Sequence, residues 1–480
     1  MTKSSTTRRM LVAEPQRRRV SFSAEDKSAN SFRSKTAGSA ASTWFRSEWK
    51  ISVMAHNVLY KIALAFSPGY DPALELANHS AGIHPNGHVR RREQDLVDRI
   101  MSGEEKGHYY LLLGPKGTGK GSMIMDAMSA TQADGAAVCE AHPDLEVFRV
   151  RLGKAINYDY NEDAQYGLFQ VRDPKEGGPA LDIERALNKL EKYALLGVAR
   201  RRKPLVLVIN NMHHLQNDDS GRALVRVLQQ RAESWAESGI LTMVFCSDDF
   251  WPYTVLRKAA NRLQVMSISD LSQSEAVQTL QFMQQGIVDQ ENSELCLREA
   301  VRCVGGRLAV LNRIGQADDV LGKHFTEYLA REKAWLLAHI GLIPDHDDDV
   351  MDEQKFASSS WLLLQEFVRL QKQRETERVG KEEDFDDQPV PSIPYWRCRQ
   401  IMGRGDFLAA LDHSNIISID ITHDVRPDSI VILQAAKEVC EAEGFEQSLQ
   451  NVLERIDEIE SLHRTRELVA CLPVLILEGN

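Results

Sequence analysis

Between residues 85 and 270, short runs of apolar residues bounded by turn formers alternate with longer segments of helical character. The runs that predict strands are Tyr109–Leu113, Glu146–Leu152, Leu205–Asn210, Leu241–Ser247 and Gln264–Ile268. Near-continuous apolar runs suit strands covered on both faces, and their alternation with helices predicts a parallel sheet between helical layers. A Gly- and Pro-rich stretch, Asn157–Pro179, predicts a loop, and Ala180–Leu196 a helix after it. From 271 to 345 the pattern turns all-helical, opened by Ser272-Gln-Ser-Glu275. That tetrad is a capping box, in which hydroxyl and carboxylate each satisfy a backbone N–H left free at a helix start.

The acidic run Asp345–Glu353 predicts a solvated linker. Beyond it, over 354–440, helices at Ser360–Lys372 and Arg397–Asp412 precede two β-type runs, Ile416–Ile421 and Ser429–Leu433, joined by a turn at Arg426-Pro427-Asp428. Helices followed by a small hairpin predict a winged-helix module. A charge-rich helical stretch spans Ala436–Leu462, and 441–480 reads as a terminal helix and tail. Residues 1–80 read as a basic Ser- and Arg-rich arm, largely disordered, with a short helix inside Ile51–Phe66. The first fifty residues carry 11 Lys and Arg against 4 Asp and Glu. That balance suits a plain tail, a mitochondrial transit segment, or a nucleic-acid or lipid contact. No internal repeat is present.

A length of 480 residues exceeds what one hydrophobic core fills and predicts two or three domains. The net charge of −11 argues against a dedicated DNA-coating surface while leaving room for a local basic patch. Seven cysteines stand singly, none in a C-x-x-C pair, as expected of reduced core thiols in an intracellular, cytoplasmic protein. His213 and His214 are adjacent, a spacing that on a strand end sends them to opposite faces and disfavours a shared metal. No stretch reaches the ~18 apolar residues of a membrane-spanning helix.

The densest chemistry follows the strand Tyr109–Leu113. Gly114-Pro115-Lys116-Gly117-Thr118-Gly119-Lys120-Gly121-Ser122 runs from that strand into a helix. The glycines let successive N–H groups turn toward one phosphate, Lys120 brings a mobile charge, and the helix start adds its partial positive charge. Strand, loop, lysine and helix together predict a P-loop that binds a nucleoside triphosphate, ATP first. One position departs from the common form: Gly121 follows the lysine, and the hydroxyl that ordinarily ligates Mg²⁺ arrives one residue later, on Ser122. This Gly-Lys-Gly-Ser order is similar to that of adenylate-kinase-type loops.

A P-loop ATPase needs a second strand that ends in acid, to hold the Mg²⁺ shell and activate water. Leu205–Ile209 is that strand by pattern, yet it ends in Asn210-Asn211. An asparagine carbonyl can bond a metal-bound water, which makes Asn210 a metal-shell candidate beside Ser122, but an amide is no general base. Asp218 and Asp219 are substitutes for the lost acid or caps for the helix near Ser220. The strand Leu241–Phe245 delivers Cys246-Ser247-Asp248-Asp249, where Ser247 is a candidate to position water and Asp248 and Asp249 are alternative carboxylates.

These motifs resemble AAA+-like P-loop ATPases of the archaeal-type and STAND-like branch, and fungal AAA-type proteins with a C-terminal winged-helix domain in particular. The resemblance rests on Tyr109–Ser122, Pro204–Leu215, Gly239–Pro252, Ser267–Ala276 and Cys303–Ile314. It implies an α/β fold: a P-loop αβα sandwich with a five-stranded parallel sheet over 85–270, a helical lid over 271–345, and a winged helix. It further implies an adenine pocket near Arg92-Glu93 and a γ-phosphate-sensing lid arginine at Arg307. A trans-acting finger would come from among Arg222, Arg226, Arg231 and Arg262, with oligomerisation accompanying nucleotide binding.

The expected activity is that of an ATP- and Mg²⁺-binding switch or scaffold with weak or absent hydrolysis, Lys120 and Arg307 closing the lid. The alternatives are a competent ATPase using Ser247, Asp248 or Asp249, and a small-molecule kinase. Arg397, Arg399 and Arg404 make the candidate recognition helix basic, but Glu382–Asp387 and Glu438–Glu446 flank it with acid. Protein contact is therefore expected ahead of DNA contact.

Overall fold

The computed structural model describes residues 57–75, 90–160, 178–283, 290–315, 323–378 and 390–471. Residues 57–65 are helical and bury Val58, Ile62 and Ala65, with Phe66 after them, within the predicted Ile51–Phe66 helix. The rest of the basic arm, most of the 157–179 loop and the acidic Glu382–Asp387 segment lie outside the described residues.

Helix α1 (Gln94–Met101) leads to strand β1 (Tyr109–Leu113), every residue of which is buried. The P-loop joins β1 to α2 (Lys120–Thr131), and β2 (Ala136–Glu140) and α3 (Leu145–Ala155) follow. After α4 (Gly178–Arg201) come β3 (Leu205–Asn210), α5 (Asp219–Ser238), β4 (Leu241–Ser247), α6 (Trp251–Leu256) and β5 (Leu263–Ser267). The five strands form one parallel sheet in the order β2-β3-β4-β1-β5. Leu113 pairs with Ser247 and Glu140 with Asn210, so the C-terminal ends of β1, β4, β3 and β2 line one edge. Ligands of open α/β sheets bind outside such strand ends.

One predicted strand is a helix. Glu146–Leu152 belongs to α3, capped by Asp144, whose Oδ1 accepts from the Glu146 N–H at 2.8 Å. Phe148 and Leu152, four apart, are buried while Val147 and Val150 are exposed, so the run has a helical period and only looked alternating. The true second strand, Ala136–Glu140, is alanine-rich and carries little β-propensity.

Helices α7 (Gln273–Met283), α8 (Gln290–Val304), α9 (Leu308–Gly315) and α10 (Lys323–Ile340) make up the all-helical stretch. The capping box is formed: the Ser272 N–H donates to Glu275 Oε2 (3.1 Å) and the Glu275 N–H to Ser272 Oγ (3.4 Å). The acidic run makes no break, because a single turn at Asp348–Val350 runs straight into α11 (Met351–Arg378).

After β6 (Ile393–Pro394), the predicted helix Arg397–Asp412 is two helices, α12 (Tyr395–Met402) and α13 (Gly405–His413). Gly403, at φ +72°, ends the first. Strands β7 (Ile417–Ile419) and β8 (Asp424–Pro427) complete an antiparallel sheet in the order β6-β8-β7. The second β-run therefore lies earlier than Ser429–Leu433. Ser429 is instead the N-cap of α14 (Ile430–Cys440), its Oγ accepting from the Ile432 N–H at 3.2 Å. Helix α15 (Phe445–Cys471) follows, separated from α14 within the stretch predicted to be continuously helical. This is a winged helix, and its core is continuous with that on one face of the parallel sheet: Phe245, Trp251, Leu336, Trp361, Leu411 and Val425 share one buried cluster. Among the cysteines, Cys139, Cys246 and Cys398 are buried, but Cys296 is exposed, against the core placement expected of it.

Candidate functional site

The loop after β1 adopts backbone that its glycines permit. Gly117 and Gly119 sit at φ +82° and +99°, and a Cβ on Gly117 would lie 2.8 Å from that of Ala309. Gly114 has no room for any side chain, since an added Cβ would meet the Ile268 carbonyl oxygen at 2.0 Å. Lys120, 6% exposed, turns its Nζ back to donate to the carbonyls of Gly114 (2.6 Å) and Pro115 (2.8 Å) and pairs with Asp248 Oδ1 at 2.7 Å. The Thr118 hydroxyl is buried and donates to the Pro115 carbonyl, while Ser122 is exposed on the first turn of α2. Lys116 is exposed, and an added Cβ on Gly121 would meet nothing within 4 Å. A loop of free N–H groups at a helix start, with a lysine held only by oxygens that an anion replaces, fits a nucleotide polyphosphate.

At the end of β3, Asn210 and Asn211 donate their Nδ2 groups to Glu140, one to each carboxylate oxygen, both at 2.7 Å. Glu140 escaped the sequence reading because its strand was placed elsewhere. Asp218 caps α5, its Oδ1 accepting from the Gly221 N–H at 2.7 Å.

The turn after β4 divides its side chains between two neighbours. The Ser247 hydroxyl, fully buried, donates to the Asp249 carbonyl at 2.8 Å. Asp248 faces Lys120, and its N–H donates to His213 Nδ1 at 3.2 Å. Burial pushes the His213 pKa below its ordinary value, against the pull of Asp248. His213 and His214 sit with ring centroids 4.3 Å apart in a 3₁₀ turn, Met212–His214, a geometry the strand-end expectation did not contain. Asp249 turns the other way, to His413 Nδ1 of the winged helix at 2.7 Å, and the Phe250 N–H donates to Asp412 Oδ2 at 2.7 Å. Burial, with Asp249, Asp428 and Asp248 nearby, raises the Asp412 pKa well above the carboxylate range. Among the described residues no group of three or more His, Cys, Asp or Glu gathers to hold a metal.

Arg307, 5% exposed, joins three parts of the molecule. Its Nε donates to Asp270 Oδ1 (2.5 Å), and its Nη1 to the Lys116 carbonyl (2.7 Å) and to Asp428 Oδ2 (2.9 Å). Its Nη2 reaches the Asp428 carbonyl and Asp270 Oδ2. Burial opposes the charge, but two carboxylates outweigh it and hold the guanidinium charged. Burial lifts the Asp428 carboxyl to about 6 despite Arg307. Sequence reasoning placed Arg307 at the nucleotide and left its partners unnamed, because Asp428 read as a turn residue.

Arg92 is exposed and pairs with Glu275 Oε1 at 2.5 Å. Its neighbour Arg91 is the buried one, donating from Nη1 to the Thr118 carbonyl (2.7 Å) and from Nη2 to the Ser269 carbonyl (2.6 Å). A cavity of 310 Å³ opens beside these residues, lined among others by Arg91, Leu271, Gly306, Arg426 and Asp428. Glu93 also lines it and pairs with Arg91. Of the finger candidates, Arg231 is tied to Glu184, Asn188 and Glu191, Arg222 to Asn217 and Arg262 to Glu237, and Arg226 is exposed. On the winged helix, Arg397 pairs with Glu366 and Arg404 with Asp406.

The model of the AAA ATPase domain matches residues 89–243, and that of the C-terminal winged helix domain of fungal AAA proteins matches residues 337–460. No curated protein matches the chain. Similar solved structures include the Walker-type ATPase of Pyrococcus abyssi, 14% identical over 73% of this chain and 96% of the other, with a TM-score of 0.45. Cdc6p from Pyrobaculum aerophilum is 12% identical over 75% and 98%, at 0.34. The Aeropyrum pernix Orc1 protein, solved in complex with DNA, is 14% identical over 74% and 94%, at 0.35. No described helix is long and apolar enough to cross a membrane.

Proposed function

We propose that this chain, which belongs to the AAA-type ATPases and ends in the C-terminal winged helix domain of their fungal members, is a nucleotide-operated switch. ATP with Mg²⁺ is the ligand of the P-loop, and its phosphates compete for the cations now held by the protein's own carboxylates. Lys120 exchanges Asp248 for phosphate oxygens. The Asp248 carboxylate, left beside new negative charge, moves or takes a share of the metal shell. The observation that carries this is the division of one turn: Asp248 faces the P-loop lysine, while Asp249 and Phe250 hold His413 and Asp412 of the winged helix. A change at the first is felt at the second, because three consecutive backbone units cannot shift independently. Arg307 forms a second link, from the Lys116 carbonyl to Asp428 on the far side of the winged helix.

Hydrolysis is slow or absent in this proposal, since the amides of Asn210 and Asn211 take no proton from water. The winged helix serves a protein partner: its outward arginines are already paired, leaving little uncompensated charge for phosphodiesters. The test is labelled-ATP binding to the full chain and to Lys120→Ala, with hydrogen exchange followed in the same samples. A charged hydrogen bond contributes about 1.5–3 kcal/mol, so the variant should bind roughly 10–150-fold more weakly. Saturating ATP should speed exchange at the Phe250 amide and across α13 in wild type and not in the variant. Tight binding with unchanged exchange refutes the switch. Rapid Mg²⁺-dependent phosphate release, lost in Lys120→Ala, refutes the slow-hydrolysis part.

A further inference from the structure

The end of β3 lacks its acid, yet the site does not lack a carboxylate. Glu140 stands at the end of β2, directly opposite Asn210 in the register of the sheet. Both of its oxygens are engaged, each by one of the two asparagine amides at 2.7 Å. A carboxylate only accepts, so each amide must present its Nδ2 to Glu140 and turn its Oδ1 away from β2. Strand β3 lies between β2 and β4, and β4 lies against the P-loop strand. The charge also reaches the centre of the site: the buried Cys246 thiol on β4, lifted by burial to about 12, is surrounded by Lys120, Asp248 and Glu140.

We propose that Glu140 is a positioning residue for magnesium, supplying from β2 the negative charge that the end of β3 lacks and fixing Asn210 Oδ1 as the acceptor for a metal-bound water. This rests on the nucleotide-switch proposal above. The division of labour follows from the chemistry of the ion. Mg²⁺ in nucleotide sites keeps several waters and is bound through a few protein groups and the phosphates, so a contact through water suffices. A neutral amide makes that contact poorly when free to rotate. Tied to a carboxylate, it is held in one orientation and made a stronger acceptor. Asn211, at φ +55°, holds the second oxygen and keeps Glu140 from swinging toward Lys120 itself. The acid and the amide have exchanged strands while the pair survives.

The experiment is titration of Mg²⁺ into the full chain with labelled ATP, set against binding in EDTA. Loss of an outer-shell partner costs metal affinity about 10–100-fold, so Glu140→Gln should raise the Mg²⁺ midpoint by that factor and leave ATP affinity in EDTA unchanged. Glu140→Gln combined with Asn210→Asp restores the pair with its roles exchanged and should regain the wild-type midpoint. Asn210→Ala, which removes the acceptor oxygen but leaves Glu140 held by Asn211, should shift the midpoint in the same direction. It keeps the test decisive if Glu140→Gln does not fold. A wild-type midpoint in both single variants, or an equal loss with and without Mg²⁺, overturns the assignment. Wild type that binds no ATP in either condition overturns the nucleotide proposal itself, an outcome separable from the first two.

Discussion

Replacing Arg307 by alanine removes the one cation that Asp270 and Asp428 share. Asp428 is 9% exposed, so its carboxylate would be left charged, dry and unpaired. Breaking a buried ion pair from one side costs about 3–5 kcal/mol. For a folding unit of 150–250 residues each kcal/mol moves the melting point by about 2–4 °C, which predicts a fall of roughly 6–20 °C near neutral pH. The loss should shrink in acid. Asp428 has its pKa lifted from 3.8 to about 6, so the folded protein binds more protons than the unfolded chain between those values. Stability carried by this group therefore rises as pH falls through that window. The shift of about two units corresponds to about 3 kcal/mol in wild type. Without Arg307 the carboxyl moves higher still, and protonation relieves more of the penalty. The assay is thermal and urea unfolding of wild type and Arg307→Ala at about pH 7.5 and about pH 5, on either side of the Asp428 transition. A variant within about 0.5 kcal/mol of wild type at the higher pH, the scatter of ordinary surface changes, refutes the clasp.

Gly117→Ala puts a Cβ into left-handed backbone and against Ala309, and should cost about 1–2 kcal/mol and weaken ATP binding; thermal melts with and without ATP check both. Asp412→Asn keeps an acceptor for the Phe250 N–H and removes a charge that burial disfavours. Because the folded pKa of Asp412 is raised, wild type should lose stability as pH climbs through that pKa. The asparagine variant should lose that slope and be the more stable of the two at about pH 8, as urea midpoints across pH would show. Duplex DNA should not bind at about 150 mM salt, where exposed charges are screened beyond ~8 Å. Fluorescence anisotropy with a steep salt dependence would contradict this, along with the pairing of Arg397 and Arg404.

The P-loop was legible because its chemistry is local: glycines, lysine, preceding strand and following helix all fall within fifteen residues of one another. The capping box at Ser272 and the apolar strands β1, β3 and β4 were legible for the same reason. Glu140 was hidden because β2 is five residues rich in alanine, and the more strongly apolar stretch beside it, Val147 to Leu152, imitated a strand while turning as a helix. Arg307 could be placed by its glycines, but not its partners. Asp270 lies 37 residues away in sequence and Asp428 121. Contacts over such separations are set by how helices and winged helix pack, which no local pattern states. Arg91 differs from Arg92 by one position on a helix approach, and only the turn of the chain decides which is buried.

The shared apolar cluster that joins the sheet to the winged helix also has a consequence for how the protein is made. Phe250, Trp251, Leu336 and Ile340 are covered in part by Trp361, Leu411 and Val425, which leave the ribosome later. The nucleotide-binding half thus emerges with an oily flank and no cover, a state prone to aggregation until the remaining chain arrives. A gene truncated near residue 345 is expected to yield inclusion bodies, and its product to require chaperones that the full-length chain can do without.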